Sequence, residues 1–211
     1  MKKIIIFFLV LSLALLAGAC VQKGPAAKVN GVEITREALE HEMRYDLEAY
    51  KAEGITLSKE DEEAIKQSAL ERLIGTFLLK EAAAKAGLSA ESIDVEGELA
   101  AVRGEYADEA AFIRALADAD FTLDTYRTAL TDILIIEALF EQELELSKVT
   151  VSEEEVQERV DLYLENYEGE DELDLEELEE YARYMLSEDK AQALRNQYLD
   201  RLWQESEIEF Y

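Results

Sequence analysis

The sequence predicts a mainly α-helical fold with a small β element that pairs an N-terminal hairpin with a C-terminal strand. Most of the chain carries apolar residues at helical spacing, in segments that begin with Ser, Thr or Asp and end at Gly. Two short β-prone pieces flank Asn30-Gly31, the dipeptide most typical of a tight hairpin. The chain closes on the alternating segment 208–211, an edge strand whose partner we expect to be the hairpin at Val29–Val32 together with Ile34.

The first nineteen residues are typical of a secretory signal peptide. Lys2 and Lys3 precede the apolar run 4–16, which is too short to span a bilayer as a stable helix. The small residues 17–19 then provide a cleavage site directly before Cys20, the only cysteine in the chain. We expect residues 1–19 to be removed, and a single cysteine cannot form a disulfide within the chain.

Cys20 is the predicted site of lipid attachment. Residues 16–20, Leu-Ala-Gly-Ala-Cys, resemble a lipobox, the motif at which bacterial lipoprotein precursors are acylated, although Ala17 occupies a position that is usually Leu. The A-x-A pattern of residues 17–19 also suits the ordinary signal peptidase, so secretion without a lipid is the alternative. Residues 20–27, which contain the only proline, are predicted to be a lipidated tether.

The charge of the chain excludes one class of function. Lys and Arg number 21 against 49 Asp and Glu, a formal net charge of −28. Such a surface repels nucleic-acid phosphates and anionic lipid headgroups, so we expect no nucleic-acid partner and no membrane contact apart from the lipid. Hydrophobic residues make up 49% of the chain, which favours a folded domain over disorder.

The helices follow from their caps and their apolar spacing. Thr35 is predicted to cap the first helix, Ser58 with Asp61 three residues on begins the second, and a full capping box of Ser152 and Glu155 begins the sixth. The fifth has an apolar stripe wide enough to be buried on more than one side. The predicted helices span residues 35–53, 58–86, 92–106, 109–117, 122–147, 152–166 and 175–205, with an interruption of the last at Ser187 as an alternative. Residues 149–151 are predicted to be a brief extended joint.

This order of elements resembles the chaperone core of the SurA and PrsA type of extracytoplasmic folding factor, the SurA N-terminal domain family. The likeness extends over nearly all of residues 28–211 and is carried by residues 29–35, 69–88, 106–112, 134–139, 149–155 and 188–211. Relatives often insert a parvulin-type prolyl isomerase domain where this chain has only the acidic link 168–174. The resemblance therefore implies a chaperone domain that binds polypeptides without ATP and without catalysis.

No catalytic, metal or cofactor site is predicted. The segment 41–45 begins like a zinc protease helix, but Tyr45 stands where the second histidine is required and His41 is the only histidine. His41 is therefore expected to be an ordinary surface or half-buried helical residue. The carboxylates of the link 168–174 lack calcium-loop spacing and are expected to be solvated.

Aromatic and methionine side chains near the end of the chain are the candidates for client binding. A chaperone that binds many sequences needs adaptable apolar contacts. Tyr181, Tyr184 and Met185 share one helical face, and Tyr163 and Tyr167 lie one turn apart. The alternative is that these five residues pack in the core, as Trp203 is expected to do against the terminal strand.

The sequence thus predicts a lipoprotein chaperone of the cell envelope. It is expected to be a membrane-anchored, extracytoplasmic holdase, on the periplasmic side in a Gram-negative cell, that binds unfolded exported or outer-membrane polypeptides. The alternative is a structural or adaptor lipoprotein that holds one specific envelope partner. An enzyme is not expected, because no nucleophile and base are available in a suitable pattern.

Overall fold

The computed structural model describes residues 24–167, 169 and 173–211, which form seven helices and one three-stranded sheet. This architecture confirms the predicted mainly α-helical fold with a small β element. The strands are β1 (Pro25–Val29), β2 (Val32–Thr35) and β3 (Ile208–Phe210). The helices are α1 (Arg36–Ala52), α2 (Lys59–Lys85), α3 (Val95–Gly104), α4 (Glu109–Asp118), α5 (Leu123–Leu144), α6 (Glu153–Glu165) and α7 (Leu175–Glu205).

The sheet brings the two ends of the described chain together. Its order is β2-β1-β3 with both pairings antiparallel, and Val29 lies opposite Val32 on one side and Ile208 on the other. The predicted contact between the hairpin and the terminal strand is therefore confirmed. The predicted pairing of Ile34 with the terminal strand is wrong, because Ile34 lies on β2 and β1 separates the two strands.

Strand β1 begins inside the segment that was predicted to be a tether. Pro25 to Ala27 belong to the strand, and Ala26 and Ala27 are only 2% and 0% exposed. The tether prediction is therefore wrong for Pro25 to Ala27, while residues 20–23 lie outside the described part. Alanine and proline carry little β propensity, so the strand became visible only through its pairing and burial.

The Asn30 side chain joins the hairpin to the other end of the fold. Asn30 and Gly31 have φ values of 49° and 86°, which suit a two-residue hairpin turn. The Asn30 amide nitrogen donates to Glu81 Oε2 at 2.7 Å and to Ser206 Oγ at 3.3 Å. Its side-chain oxygen accepts from the Glu207 backbone N–H at 3.0 Å. One turn residue thus contacts α2, the end of α7 and the start of β3.

The predicted helix starts are confirmed at most positions. Thr35, Ser58, Asp108, Thr122 and Ser152 each accept a hydrogen bond from the first turn of the following helix. The third helix begins at Val95 and not at Ser92, because the Asp94 side chain accepts from the Gly97 backbone N–H at 2.9 Å. A short 3₁₀ turn, Ala90–Ser92, precedes it.

Helix α5 is shorter than predicted, and α7 does not have the interruption that was the alternative for it. Helix α5 ends at Leu144 and not at Ser147, because Glu145 adopts a left-handed conformation with φ 49°. Helix α7 continues without a break through Ser187, whose hydroxyl donates to the Tyr184 carbonyl at 2.8 Å. A serine that bonds back to the preceding turn is compatible with an unbroken helix.

The apolar cores define three parts of the molecule. The central body contains β1, α1, α2 and the C-terminal halves of α5 and α7, and its buried residues include Val29, Ala69, Ile74, Leu78, Leu139 and Tyr198. The α3–α5 unit has its own cluster around Leu99, Phe112 and Leu130. The third part, here called the α6–α7 arm (residues 149–190), is built on Val156, Val160 and Ala182. Leu130 and Leu139 confirm that α5 is buried on more than one side.

Replacing Asn30 by Asp should destabilise the fold. Aspartate suits the turn and still accepts the Glu207 N–H, but it loses the amide donors and places its carboxylate beside Glu81. Burial would raise the pKa of Glu81, yet the hydrogen bonds from Asn30 and Lys85 lower it below its usual value. We expect the free energy of unfolding at pH 7, measured by urea denaturation, to fall by roughly 1 to 3 kcal/mol.

The matched control is Asn196→Asp. Asn196 is exposed and accepts a hydrogen bond from Gln192 at 2.8 Å, a role that aspartate keeps. We expect this variant to unfold within about 0.5 kcal/mol of the wild type. Equal stability of the two variants would contradict the proposed role of the Asn30 amide.

Candidate functional site

The α6–α7 arm is a small helical pair that presents aromatic side chains to solvent. Val156 and Val160 of α6 are 2% and 1% exposed and pack against Ala182 of α7, which is 3% exposed. Partly buried Val151, Leu178 and Leu186 complete this cluster. Its side chains are small or aliphatic, so the aromatic residues of the arm are not needed to fill its core.

Three ionic contacts join α6 to α7. Arg183 donates from its two terminal nitrogens to the Glu153 carboxylate at 2.8 and 3.0 Å, a bidentate pair. Arg159 binds Asp189 at 3.0 Å. Lys190 binds the Glu155 carboxylate at 2.7 Å and donates to the Thr150 carbonyl at 2.9 Å. These contacts involve all three basic residues of the segment 151–190.

Glu155 is the most perturbed carboxyl of the arm. The hydrogen bond from Lys190, together with those from the backbone and side chain of Ser152, lowers its pKa from 4.5 to about 2. The same carboxylate therefore caps α6 and binds α7. The Arg183 guanidinium likewise holds the pKa of Glu153 below its usual value.

Three of the four candidate client-binding tyrosines are exposed, and Tyr167 is half-buried. Tyr181 and Tyr184 are 60% and 61% exposed, and Tyr163 is 46% exposed, whereas Met185 is half-buried. The alternative that these residues pack in the core is therefore wrong for the three tyrosines. An apolar residue that recurs at helical spacing is exposed when no other element covers that side of the helix.

Of the two candidate groups, the structure places the rings of Tyr163 and Tyr167 in contact. The Tyr163 and Tyr167 rings stack, with centroids 5.8 Å apart and planes inclined by 26°. Among the described residues, no ring contact joins this pair to Tyr181 or Tyr184. The arm therefore presents a stacked pair and, separately, two single tyrosines on the N-terminal half of α7.

A shallow groove lies beside Tyr184. It has a volume of about 460 Å³ and is lined by Val149, Val151, Glu180, Arg183, Tyr184 and Ser187. The segment 149–151 was predicted only as a joint between helices, so the sequence did not reveal that its valines line a surface with α7. Two apolar residues in a connecting segment were the only available signal.

A larger cavity of about 810 Å³ lies between α2, α7 and β3. Its apolar wall includes Leu79, Leu199 and Trp203, and the 60% exposed ring of Phe210 lies at its edge. Trp203 and Ile208 of β3 both pack against the buried cluster that contains Val29, which agrees with the expected packing of Trp203 in the core near the terminal strand. Phe210 is a large exposed aromatic residue that the sequence did not mark as a contact candidate.

His41 is exposed on α1, as expected for a surface residue. Within residues 24–167, 169 and 173–211, no group of three or more His, Cys, Asp or Glu side chains could hold a metal ion. Cys20 lies outside the described residues, as do Glu168 and residues 170–172 of the acidic link. In the part of the chain that is described, no helix is both long and apolar enough to cross a membrane.

The sequence matches the SurA-like N-terminal domain family over residues 1–134, more than half of the chain. The chain belongs to this family. The match includes the hairpin, α1 to α4 and the first half of α5. This domain is the non-catalytic, chaperone part of its family and is generally extracytoplasmic. No curated protein matches the sequence. The α6–α7 arm lies beyond the matched residues.

The contact between Lys190 and Glu155 should make the stability of the arm depend on pH. The folded pKa of Glu155 lies below its unfolded value, so this contribution is present above pH 4.5 and is lost as the pH falls towards 2. Lys190→Met should raise the pKa of Glu155, measured by NMR titration. It should also flatten the loss of arm stability between pH 4.5 and 2, measured by urea denaturation.

Lys66→Met is the control, because the only ion pair of Lys66 with a described residue is an exposed one with Glu63 within α2 at 2.8 Å. It should leave the titration of Glu155 unchanged. An unchanged Glu155 pKa in Lys190→Met would contradict the assigned contact.

Proposed function

We propose that this protein is a lipid-anchored extracytoplasmic chaperone that binds unfolded or partly folded exported polypeptides without ATP. The observation that carries the proposal is the exposure of Tyr181, Tyr184 and Tyr163 on the α6–α7 arm of a chain whose residues 1–134 match a non-catalytic chaperone domain. The rings are on helices that are anchored by their own apolar cluster. Contact residues on such rigid elements need little ordering when a client binds.

Tyrosine suits a surface that binds many sequences. Its ring contributes a large apolar area, its hydroxyl keeps it compatible with water, and it loses little side-chain entropy on binding. The stacked Tyr163 and Tyr167 rings form a flat apolar platform of this kind. Such a surface accepts apolar side chains of many shapes and does not require a precise fit.

Release without ATP requires weak binding. A dissociation constant near 1 µM corresponds to about −8 kcal/mol. With a typical association rate constant of roughly 10⁶ M⁻¹s⁻¹, such a complex dissociates in about a second. Repeated short contacts of this length are suited to shielding an apolar segment while the client continues to fold.

Replacing Tyr181 and Tyr184 by Ser should weaken client protection. Both side chains are mainly in solvent, so the melting temperature should change by less than about 2 °C. The chaperone concentration that halves aggregation of unfolded client proteins, measured by light scattering, should rise roughly fivefold or more. Several unrelated clients should show the same change.

Tyr50→Ser is the matched control, because Tyr50 is 39% exposed and lies on α1 in the central body. It should protect clients as well as the wild type does. Undiminished protection by the double variant would contradict the assignment of this surface. Binding of a single partner with no general protection would favour the adaptor alternative.

The anchor is the second testable part of the proposal. Mass spectrometry of the mature N-terminus should show acyl chains on Cys20, and stable anchoring requires two such chains or more. Cys20→Ala should move the protein from the membrane fraction to the soluble fraction and leave its circular dichroism and melting temperature unchanged. An unacylated Cys20 in the wild-type protein would refute the anchor and would leave the chaperone activity to be judged by the aggregation assay.

A further inference from the structure

We infer that the face of α7 that carries Tyr181 and Tyr184 selects client segments in which Lys or Arg lies next to apolar residues. The inference rests on the proposed chaperone function and specifies its client class. It is drawn from the arrangement of acidic side chains around the two rings, from the groove beside Tyr184 and from the charge of the arm.

Acidic side chains surround the two rings on a single face of the helix. Glu177 precedes Tyr181 by four residues, and Glu180 and Glu188 lie four residues on either side of Tyr184. At 100° per residue, these five positions lie within an arc of about 100°. All five are exposed. A client that contacts the rings must therefore also lie beside three carboxylates.

Two of these three carboxylates form no ion pair with the described residues. In the described part of the chain, Glu177 and Glu180 form no salt bridge, and Glu188 reaches only Arg195 at 3.9 Å. By contrast, Glu153, Glu155 and Asp189 bind the three basic residues that join α6 to α7. The carboxylates beside the tyrosines are left available to charges on a client.

The groove beside Tyr184 has the chemistry to accept a basic side chain. Val149 and Val151 provide an apolar surface for the methylene groups of Lys or Arg, and Glu180 provides a carboxylate at the same groove. The Tyr184 ring adds a face that attracts cations. Arg183 also lines the groove, but its guanidinium is bound to Glu153 on both terminal nitrogens.

The net negative charge of the whole arm also favours client segments that contain Lys or Arg. Residues 151–190 contain 17 Asp and Glu against three Lys and Arg, a net charge of −14, which is half of the −28 of the full chain. This field accelerates the approach of cationic segments and repels anionic ones, an effect that salt screens over about 10 Å at 0.1 M. Apolar contact with the rings attracts any apolar segment, and the carboxylates distinguish cationic segments from anionic ones.

The test uses three fluorescent 12-residue peptides that share one Leu- and Tyr-rich core and differ only in two flanking residues, which are Arg, Gln or Glu. Binding to the full chain in neutral detergent with EDTA is measured by fluorescence anisotropy. We expect the Arg peptide to bind on the order of tenfold more tightly than the Glu peptide at 50 mM NaCl. The Gln peptide should lie between them, and 0.5 M NaCl should remove most of the difference.

Two triple variants locate the effect. Glu177→Gln, Glu180→Gln and Glu188→Gln together keep both tyrosines and should abolish most of the preference for Arg. The control, Glu48→Gln, Glu105→Gln and Glu137→Gln, removes the same charge from exposed sites that form no salt bridge in the described residues. This control should keep the preference.

The outcomes separate the inference from the function on which it rests. Equal binding of the Arg and Glu peptides, or equal loss of preference in both triple variants, overturns the inference and leaves the chaperone function intact. Failure to bind any peptide, together with failure to suppress aggregation, overturns the proposed function and the inference with it. Loss of the preference for the Arg peptide in the first triple variant, and not in the control, supports both the inference and the proposed function.

Discussion

The Asn30 side chain is the contact on which the arrangement of the described chain depends. Its amide binds α2 through Glu81 and the end of α7 through Ser206, and its oxygen accepts from Glu207 at the start of β3. The turn conformation places the amide at this junction, and the paired strands keep it there. The terminal strand and α7 are consequently held against the hairpin, and the position of α7 determines where the α6–α7 arm lies.

Helix α7 belongs to two parts of the molecule at once. Its C-terminal half packs in the central body through Tyr198, while its N-terminal half carries the arm through Ala182. Because the helix has no break at Ser187, the exposed tyrosines are positioned by the core of the protein and not by a loop. The basic residues of the arm are used to join its two helices, so its surplus of acids faces solvent. The acidic residues that join the two helices are thus different from the ones that lie beside the exposed tyrosines.

Local features of the fold were determined by the sequence alone. The turn at Asn30-Gly31, the capping boxes at Ser58 and Ser152 and the ends of the helices depend on residues within a few positions of one another, so their spacing predicts them. The predicted start of α3 and the predicted end of α5 were wrong for equally local reasons. The Asp94 cap begins α3 later, and the left-handed Glu145 ends α5 earlier, than the helical spacing of apolar residues indicates. Helical spacing likewise groups Tyr163 with Tyr167, and Tyr181 with Tyr184 and Met185.

Only the tertiary structure decided which of these features are buried and which are exposed. The same helical period buries Tyr198 in the central body and leaves Tyr181 and Tyr184 in solvent, because other elements cover this side of α7 along its C-terminal half and not along its N-terminal half. The strand at Pro25 and the valine-lined groove beside Tyr184 likewise arise from residues distant in sequence. A periodic pattern marks an apolar face, and packing alone determines what that face contacts.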